Sequence, residues 1–345
     1  MKTLAAVLVQ QNEPLELLEL KIPSLKSGQV LVQIAYSGVC QTQLNEIRGH
    51  KGPDQYLPHT MGHEASGTVL EVGSAVKKVK PGDRVVLSWI KGTGADEPNT
   101  VYEASDGRKV QSGAISTFLE KAIISENRII PIPNTMPLKE AALLGCAIPT
   151  GAGVIFNEMN VKPGQSVAIF GIGGVGLSAI LAARHLQANP LIAIDVIDEK
   201  LKKAKQLGAT HAINAKTQDV VKTIQEITGG PGVDFSLECA GRKDTMETAF
   251  NALKPSKSLC VIAGNAPKGH HIQLDPFDLI RGKRIIGTWG GNSSIDKDVT
   301  NYINLFQNKS FPMGELISHE VGLKDINHLM KLLEKGEVYR GMIAF

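Results

Sequence analysis

Residues 166 to 195 read SVAIFGIGGVGLSAILAARHLQANPLIAID and have the spacing most able to do chemistry. Gly171, Gly173 and Gly176 form a GxGxxG that follows an apolar run and opens a helical stretch, and Asp195 ends the next apolar run. In a dinucleotide-binding unit the first glycine makes a tight turn, the second lets backbone approach a pyrophosphate, and the third lets the helix pack closely on the strand. The unpaired N–H groups at the start of that helix face the phosphates. A carboxylate at Asp195 would accept hydrogen bonds from ribose hydroxyls and repel a 2′-phosphate, so the segment predicts NAD binding.

Three other segments carry side chains that could bind a metal. They are GVCQTQ (38–43), MGHEASG (61–67) and GCAIPTGAG (145–153). Thiolate and imidazole groups are ligands that zinc prefers in proteins. Cys40, His63 and Cys146 are far apart in sequence, however, so their spacing alone does not establish a metal site.

The other two cysteines have different surroundings. Cys239 and Cys260 lie in or at the ends of short apolar runs, which is typical of core packing. The chain has four cysteines and no CxxC pair, so no disulfide framework is indicated. In a reducing compartment such cysteines are buried hydrophobes, metal ligands or catalytic groups.

Length and composition narrow the class of protein. The chain has 345 residues, which suits two domains. Hydrophobic residues make up 42% and charged residues 21%, the balance of an ordinary soluble protein. The formal net charge of +3 is small and no basic block with interleaved aromatic residues stands out, so nucleic acid is not an expected partner. No apolar run is long enough to cross a membrane, and the first residues, MKTLAAVLVQ, are too short in apolar length for a signal peptide and predict a first strand. We therefore expect a cytoplasmic protein.

The first part of the chain has the rhythm of strands and turns. QVLVQIAYSGV, SGTVLEVG and DRVVLSW are short β-rich runs, and KVKPGDRVV places Pro, Gly and Asp between two of them. The polar, glycine-rich residues 91–113 predict a long surface loop. Residues 138–159 are apolar and helical in pattern, and they lead to the glycine-rich turn.

From about Val161 the rhythm changes to alternating strands and helices. Six strand segments can be counted, which predicts a parallel sheet covered on both faces. After Gly290 come two further helical segments, DVTNYINLFQN and KDINHLMKLLEKG, and a last strand, MIAF. These lie beyond the sixth strand, so we expect them to return to the first domain.

The order of Cys40, then Gly-His-Glu at 62–64, then Cys146 just before the glycine-rich turn resembles the zinc-dependent medium-chain alcohol dehydrogenases. The resemblance covers essentially the whole chain, including the KPGDRV turn and the ending. It implies an α/β protein with a doubly wound, parallel-sheet (Rossmann) cofactor domain and a β-rich GroES-like catalytic domain. The implied boundaries are 149–290 for the NAD-binding domain and 1–148 with 291–345 for the catalytic domain.

The resemblance also implies roles for individual residues, with one catalytic zinc ion and NAD as cofactors. Cys40, His63 and Cys146 match three zinc ligands, Glu64 matches a carboxylate that can reach the metal, and Thr42 matches the hydroxyl that takes the alcohol proton into a relay. Three protein ligands with an open fourth position are typical of catalytic zinc. The implied cofactor contacts are Gly171, Gly173, Gly174, Val175, Gly176, Asp195, Lys200 beside the adenosine ribose, Thr150 beside the nicotinamide and Arg340 on the pyrophosphate.

Two positions depart from the family pattern near the metal. Gln43 stands where the family commonly has an Asp that orients the zinc-bound histidine, so we expect an uncharged carbonyl to accept that hydrogen bond and metal affinity to change. Asn45 stands where some members have a histidine that ends the proton relay, and an amide does not titrate near neutral pH. His50 and His59 are nearby in sequence.

A third departure is the lack of cysteines between residues 89 and 113, where many members carry four that hold a structural zinc. This lobe must hold its shape by other contacts, so we expect one zinc ion per chain.

The resemblance favours transfer of hydride between a primary or secondary alcohol and NAD, because Cys146 is the third ligand of the alcohol dehydrogenase type. The alternative is a polyol, sugar or amino-sugar dehydrogenase, in which a carboxylate tends to take that place. A zinc-free quinone or enone reductase of the same fold should lack the ligands, and a non-catalytic nucleotide binder would not need them. A small-molecule substrate and a homodimer or homotetramer, formed through edge pairing of the nucleotide domains, are also implied.

Overall fold

The computed structural model describes all residues from Met1 to Phe345, and its elements confirm the change of rhythm in mid-chain. The strands are β1 (Lys2–Leu8), β2 (Glu16–Lys21), β3 (Gln29–Val39), β4 (His59–Thr60), β5 (Glu64–Val72), β6 (Arg84–Ser88), β7 (Val101–Ala104), β8 (Lys109–Gln111), β9 (Lys121–Ser125), β10 (Ile129–Pro131), β11 (Val167–Phe170), β12 (Leu191–Asp195), β13 (His211–Asn214), β14 (Phe235–Glu238), β15 (Ser258–Ile262), β16 (Lys283–Gly287), β17 (His319–Gly322) and β18 (Gly341–Ala344). The helices are α1 (Gln41–Ile47), α2 (Leu138–Ala141), α3 (Ala147–Gly153), α4 (Gly174–His185), α5 (Asp198–Leu207), α6 (Val220–Thr228), α7 (Lys243–Asn251), α8 (Pro276–Ile280), α9 (Ile295–Gln307) and α10 (Ile326–Glu334). A π-helical turn lies at Val154–Glu158, and 3₁₀ turns lie at Glu126–Arg128, Ala142–Gly145, Gly290–Asn292, Met313–Leu316 and Leu323–Asp325.

The chain forms two compact units. Unit 1 consists of Met1–Cys146, Ser294–Lys309 and Met313–Phe345, and unit 2 of Ala147–Ser293 and Ser310–Pro312. The first division comes two residues before the boundary expected at 148, and the second comes three residues after the one expected at 290.

Unit 1 is built from a closed barrel and a second antiparallel-rich sheet. The barrel has the order β1-β2-β7-β8-β4, and the sheet has the order β10-β6-β5-β3-β18-β17, with β9 also paired to β3. Val30, Val32 and Ile34 of β3 alternate into the main core, as expected for a strand with one face on that core. Helices α9 and α10 and strand β18 belong to this unit, so the last part of the chain does return to the first domain.

The interpretation of residues 91–113 as one long loop is wrong. Strands β7 and β8 lie within it and pair with each other, while β7 also pairs with β2 and β8 with β4, which closes the barrel. Tyr102 and Val110 are fully buried there. Each of these strands is very short and has exposed neighbours on its other face, so the sequence has too few buried positions to show a period of two.

The helical bridge between the units is broken at Cys146. Helix α2 and the 3₁₀ turn at Ala142–Gly145 lead up to it, its own backbone has φ −152° and ψ −64°, and α3 begins at the next residue. No single helix is long and apolar enough to cross a bilayer, and the segments Leu138–Gly145 and Ala147–Glu158 meet that test only as a bent pair.

Unit 2 contains the six-stranded sheet that the sequence predicts. Its order is β13-β12-β11-β14-β15-β16, and every pairing is parallel. Strands β11 and β14 are buried along their whole length, because helices cover both faces of such a sheet. This is the doubly wound nucleotide-binding order, in which ligands lie at the carboxyl ends of the strands.

Candidate metal centre and nucleotide-binding turn

Local structure places each of the three candidate metal ligands at an end or a break of an element. Cys40 follows β3 and is the N-cap of α1. His63 follows the turn at Gly62, whose φ of +89° is open to glycine, and a Cβ there would lie 2.3 Å from the Thr117 hydroxyl. Cys146 occupies the break described above. Side chains at such positions point away from the regular hydrogen bonding of the sheets and helices.

The structure brings Cys40, His63 and Cys146 together. Their ligand atoms all lie within 4.8 Å of one another, and His63 Nε2 is 3.3 Å from Cys146 Sγ. Ligands at zinc–sulfur and zinc–nitrogen bond lengths in a tetrahedral arrangement are about 3.5–3.8 Å apart. Two sulfur atoms and one imidazole at this spacing therefore fit zinc with one position left open.

The electrostatic surroundings favour a thiolate at Cys40. A hydrogen bond with Cys146 holds the pKa of the Cys40 thiol well below its usual range, although burial raises it, and His63 and Arg340 lower it further. Burial instead raises the pKa of Cys260 to about 12. Only the former thiol has the character of a metal ligand. Cys260 is fully buried, as expected for core packing, whereas Cys239 is only partly buried at the end of β14.

Gln43 contacts the imidazole, but in a different manner from that expected. Its Oε1 accepts a hydrogen bond from the Cys40 N–H at 2.9 Å, and its Nε2 faces His63 Nδ1 at 2.5 Å. A histidine that binds metal through Nε2 carries its proton on Nδ1. The Gln43 Nε2 and the His63 Nδ1 would then both be donors and could not form a hydrogen bond. Exchanging the amide atoms only moves the donor–donor contact from the histidine to the Cys40 N–H.

Glu64 lies outside the cluster of three. Its side chain is fully buried, and its carboxylate contacts the guanidinium of Arg340 in unit 1. Gly38 permits this arrangement, because a Cβ at that position would lie 1.9 Å from Glu64 Oε1. Burial lowers the pKa of Arg340, and the nearby Cys40 opposes that effect. The guanidinium of Arg340 thus lies on a buried carboxylate near Cys40, and its expected contact with the pyrophosphate stays a prediction.

The candidate proton path begins at Thr42, whose Oγ1 is 3.7 Å from Cys40 Sγ. Asn45 Oδ1 lies 3.3 Å from the exposed His50 Nδ1 and 3.3 Å from Gln41 Nε2. His59 is instead paired with Asp54, with Nε2 to Oδ2 at 2.8 Å. Of the two nearby histidines, His50 is the one in contact with Asn45.

The glycine-rich turn in unit 2 has little room for side chains. Gly171 has φ +89°, and a Cβ there would lie 2.7 Å from the Ala240 nitrogen. A Cβ on Gly176 would lie 2.1 Å from the Gly171 carbonyl oxygen, so the close approach is to the turn itself. Gly173 is the N-cap of α4, and Gly174 and Val175 are its first residues. Their N–H groups open the helix and are suited to bind phosphate.

Asp195 ends β12 and organises the same turn. Its Oδ2 accepts a hydrogen bond from the Ile172 N–H at 2.7 Å, and its Oδ1 accepts those of Val196 at 2.7 Å and Ile197 at 3.1 Å. Lys200 is half-buried on α5. The carboxylate is therefore fixed at the carboxyl edge of the sheet, where the ribose is expected.

Two further polar groups lie in the nucleotide unit. The hydroxyl of Thr150, on α3, is buried and has no hydrogen-bond partner in the protein, which suits a group awaiting a ligand. Glu238, at the end of β14, belongs to no motif recognised in the sequence. Its Oε1 accepts hydrogen bonds from the N–H groups of Ala240 and Gly241, both at 2.9 Å, and burial raises its pKa. An acidic residue in the apolar run FSLECAG was the available signal.

The lobe at 89–113 is held by a carboxylate. Glu126 is buried, and its Oε1 accepts hydrogen bonds from the N–H groups of Lys77 at 2.6 Å and Lys78 at 2.8 Å. Its Oε2 accepts one from the N–H of Ala95 at 2.7 Å. Three backbone segments thus meet at one side chain.

Comparison with known proteins agrees with both units. Residues 26–134 match the alcohol dehydrogenase GroES-like domain, and residues 174–308 match the zinc-binding dehydrogenase domain. An S-(hydroxymethyl)glutathione dehydrogenase from Synechocystis is 32% identical over the full length of both chains. A crystal structure of an alcohol dehydrogenase zinc-binding domain protein from Burkholderia ambifaria is 31% identical with a TM-score of 0.91, covering 100% of this chain and 99% of that one. Benzyl alcohol dehydrogenase from Acinetobacter calcoaceticus is 30% identical with a TM-score of 0.89 and the same coverage.

These matches define a zinc-type medium-chain dehydrogenase with a GroES-like and a Rossmann-type domain. Within that class, the chain belongs to the alcohol dehydrogenase family. It is an oxidoreductase of the alcohol dehydrogenase type.

Proposed function

We propose that this protein transfers hydride between a primary or secondary alcohol and NAD, interconverting the alcohol with its aldehyde or ketone, at a zinc ion held by Cys40, His63 and Cys146. The observation that carries the proposal is the convergence of these three ligand atoms within 4.8 Å. A zinc-free quinone or enone reductase has no use for such a ligand set. Bound zinc supplies a Lewis acid that polarises the alcohol oxygen, and NAD supplies the hydride acceptor.

The surrounding residues hold the ligands and the substrate proton. Gln43 contacts both the Cys40 N–H and the His63 imidazole, and Arg340 favours the thiolate of Cys40. We assign Thr42 Oγ1, next to Cys40 Sγ, to accept the hydroxyl proton of the alcohol. Asn45 cannot carry that proton onward as an acid, so we assign its release to His50 and water. Glu64 is paired with Arg340, so we propose that its carboxylate reaches the metal only when this ion pair separates.

All of the proposed nucleotide contacts except Arg340 belong to unit 2, mainly at the carboxyl edge of its sheet. The glycine-rich turn and the first N–H groups of α4 receive the pyrophosphate, and Asp195 accepts the ribose hydroxyls. The unpaired hydroxyl of Thr150 contacts the nicotinamide side. Lys200 beside the ribose and Arg340 on the pyrophosphate complete the set. A fixed carboxylate at Asp195 repels a 2′-phosphate, which favours NAD over NADP.

A homodimer or homotetramer is part of the proposal. Strand β16 is the last strand of its sheet and is paired on one side by β15. Next to it, Phe277 and Ile280 of α8 are 59% and 78% exposed. An unpaired strand edge with adjacent apolar side chains suits pairing with a second copy. Because the ligand thiols must stay reduced, we place the protein in the cytoplasm.

The decisive test is NAD reduction by aliphatic, aromatic and polyol alcohols, before and after removal of metal with a chelator. We expect turnover that disappears with the metal and returns when zinc is added. Full activity without metal would contradict the zinc site, and activity with NADP alone would contradict the role of Asp195. Failure of every alcohol would favour a non-catalytic nucleotide binder.

A further inference from the structure

A cavity of about 710 Å³ opens in unit 1 beside His63 and Gln43. Its volume lies in the range of small-molecule sites, about 300–1,000 Å³. If the reacting hydroxyl lies at the His63 end, the rest of the cavity faces the remainder of the substrate. The side chains that line the cavity away from His63 would then contact the remainder of the substrate.

The ionisable groups on one side of this cavity are already paired with each other. Lys51 Nζ is 2.6 Å from Glu46 Oε1, and His59 Nε2 is 2.8 Å from Asp54 Oδ2. No arginine lines the cavity. An anionic substrate would find one lysine that a carboxylate has already neutralised, and it would lie near two acidic side chains.

Neutral polar groups are available instead. The side-chain amides of Asn99 and Gln111 are exposed to the cavity and make no hydrogen bond within the protein. Tyr56, 59% exposed, presents an aromatic ring at the same wall. Amides donate to and accept from hydroxyl groups, and an aromatic ring packs on the C–H face of a sugar or polyol.

One amide positions the wall. Gln11 Nε2 donates hydrogen bonds to the carbonyl oxygens of Gly52 at 3.1 Å and Glu46 at 3.4 Å, while its Oε1 accepts one from the Asp54 N–H at 3.2 Å. The loop that carries Lys51, Asp54 and Tyr56 is thereby fastened near β1. These three hydrogen bonds fix the position of residues 46–54 along one side of the cavity.

We infer that the substrate is an uncharged alcohol of the polyol or sugar type, whose additional hydroxyl groups bind the amide-lined wall of this cavity. The inference rests on the proposed function. The ligand set with Cys146 determines the reacting group, and the cavity determines what is attached to it.

The test compares three six-carbon alcohols with the zinc-loaded, full-length enzyme: a hexitol, 1-hexanol and 6-hydroxyhexanoate. We expect kcat/KM for the hexitol to exceed that for 1-hexanol at least tenfold, and 6-hydroxyhexanoate to be the poorest of the three. A preference for 1-hexanol or for the carboxylate would overturn the inference while leaving alcohol oxidation intact.

Variants locate the effect in the cavity. Asn99 has φ +65°, so Asn99→Gly removes the amide without straining the backbone. We expect it to reduce the ratio of hexitol to hexanol kcat/KM at least fivefold, as should Gln111→Met. The control Asn251→Ala, at an exposed amide ending α7, should leave the ratio unchanged. Equal ratios in all three variants would contradict the assignment.

A gain of activity gives a test that misfolding cannot imitate. Glu46→Gln frees Lys51, so we expect kcat/KM for 6-hydroxyhexanoate to rise at least fivefold, and the gain to shrink at high salt. Calorimetric titration of hexitol onto the same enzyme separates the two proposals. Binding that Asn99→Gly weakens, without turnover, would retain the cavity and reject the proposed reaction, and no binding would reject the cavity.

Discussion

The Cys40–His63–Cys146 cluster and the Glu126 carboxylate each gather distant segments of unit 1 at one point, with different chemistry. The cluster brings together two sulfur atoms and one imidazole nitrogen, each of which can donate a lone pair to a metal ion. Glu126 brings one carboxylate against three backbone N–H groups, so both of its oxygens have donors. We expect a cation to complete the first arrangement, whereas the second is complete within the chain.

The difference explains how the lobe at 89–113 can do without cysteines. A structural metal joins segments because each contributes a ligand, and Glu126 joins segments because each contributes an N–H. Gly94, with φ +113°, lets the chain pass close to that carboxylate, since a Cβ there would lie 2.7 Å from Glu126 Cγ. We therefore expect metal at the cluster and none in the lobe.

Cys146→Ser should remove zinc from the Cys40–His63–Cys146 cluster. We expect zinc to fall from one ion per chain to a small fraction of that, and kcat/KM to fall about a thousandfold or more, because a thiolate ligand and several kcal/mol of transition-state stabilisation are lost. Metal analysis and NAD-reduction assays measure both. Cys260→Ala, in the core of unit 2, should keep its zinc. Wild-type protein with two zinc ions per chain would contradict the comparison.

Glu126→Ala should destabilise the lobe at 89–113 without affecting zinc binding. Three N–H groups lose a charged acceptor, so we expect the free energy of unfolding to fall by about 3 kcal/mol, with zinc content unchanged. Urea unfolding and metal analysis together decide the outcome. Loss of zinc with no loss of stability would show that the lobe supports the metal centre instead.

The contribution of Glu126 to the free energy of unfolding should depend on pH in a definite direction. Burial raises the pKa of Glu126, but the N–H groups of Ala95, Lys77 and Lys78 outweigh it, and the net pKa is lowered. The contribution to stability is therefore full above the unfolded-state pKa of about 4.3 and is lost as pH falls through the lower folded-state pKa. The advantage of the wild type over Glu126→Gln should shrink in acid, and an advantage that grew would exclude an ionised carboxylate.

Gln43→Glu should change zinc binding by a smaller amount than Cys146→Ser. A carboxylate accepts hydrogen bonds from both the Cys40 N–H and the His63 Nδ1–H, so the donor–donor contact disappears. We expect the zinc dissociation constant to fall about tenfold, measured by competition with a chelator. The control Gln41→Glu adds the same charge to the exposed side of α1 and should change the zinc dissociation constant less than twofold. Equal effects of the two variants would assign the change to charge alone.

Apolar runs and turn residues predicted most of the fold, because strands such as β3 and β11 are apolar and buried over most of their length. They failed at β7 and β8, which have too few residues to show a period. The three candidate ligands were identified because their order along the chain resembles that of a known family, whereas partners that depend on tertiary structure were not identified. The pairing of Glu64 with Arg340 and the second contact of Gln43 join residues that no local pattern connects.

The fastening of residues 46–54 by Gln11 has a consequence for how such an enzyme diversifies. Residues 46–54 are joined to the chain that follows β1 by the Gln11 side chain and by the Asn12 N–H, which donates to the Ile47 carbonyl oxygen at 2.7 Å. Cys40 and His63 instead adjoin strands β3 and β5 of the second sheet. Substitutions among residues 46–54 can alter the shape and charge of the cavity while strands β3 and β5 hold the candidate metal ligands in place. The fold thus separates a variable selecting surface from a constant reacting centre, and new substrates become accessible by small steps that leave the reaction itself in place.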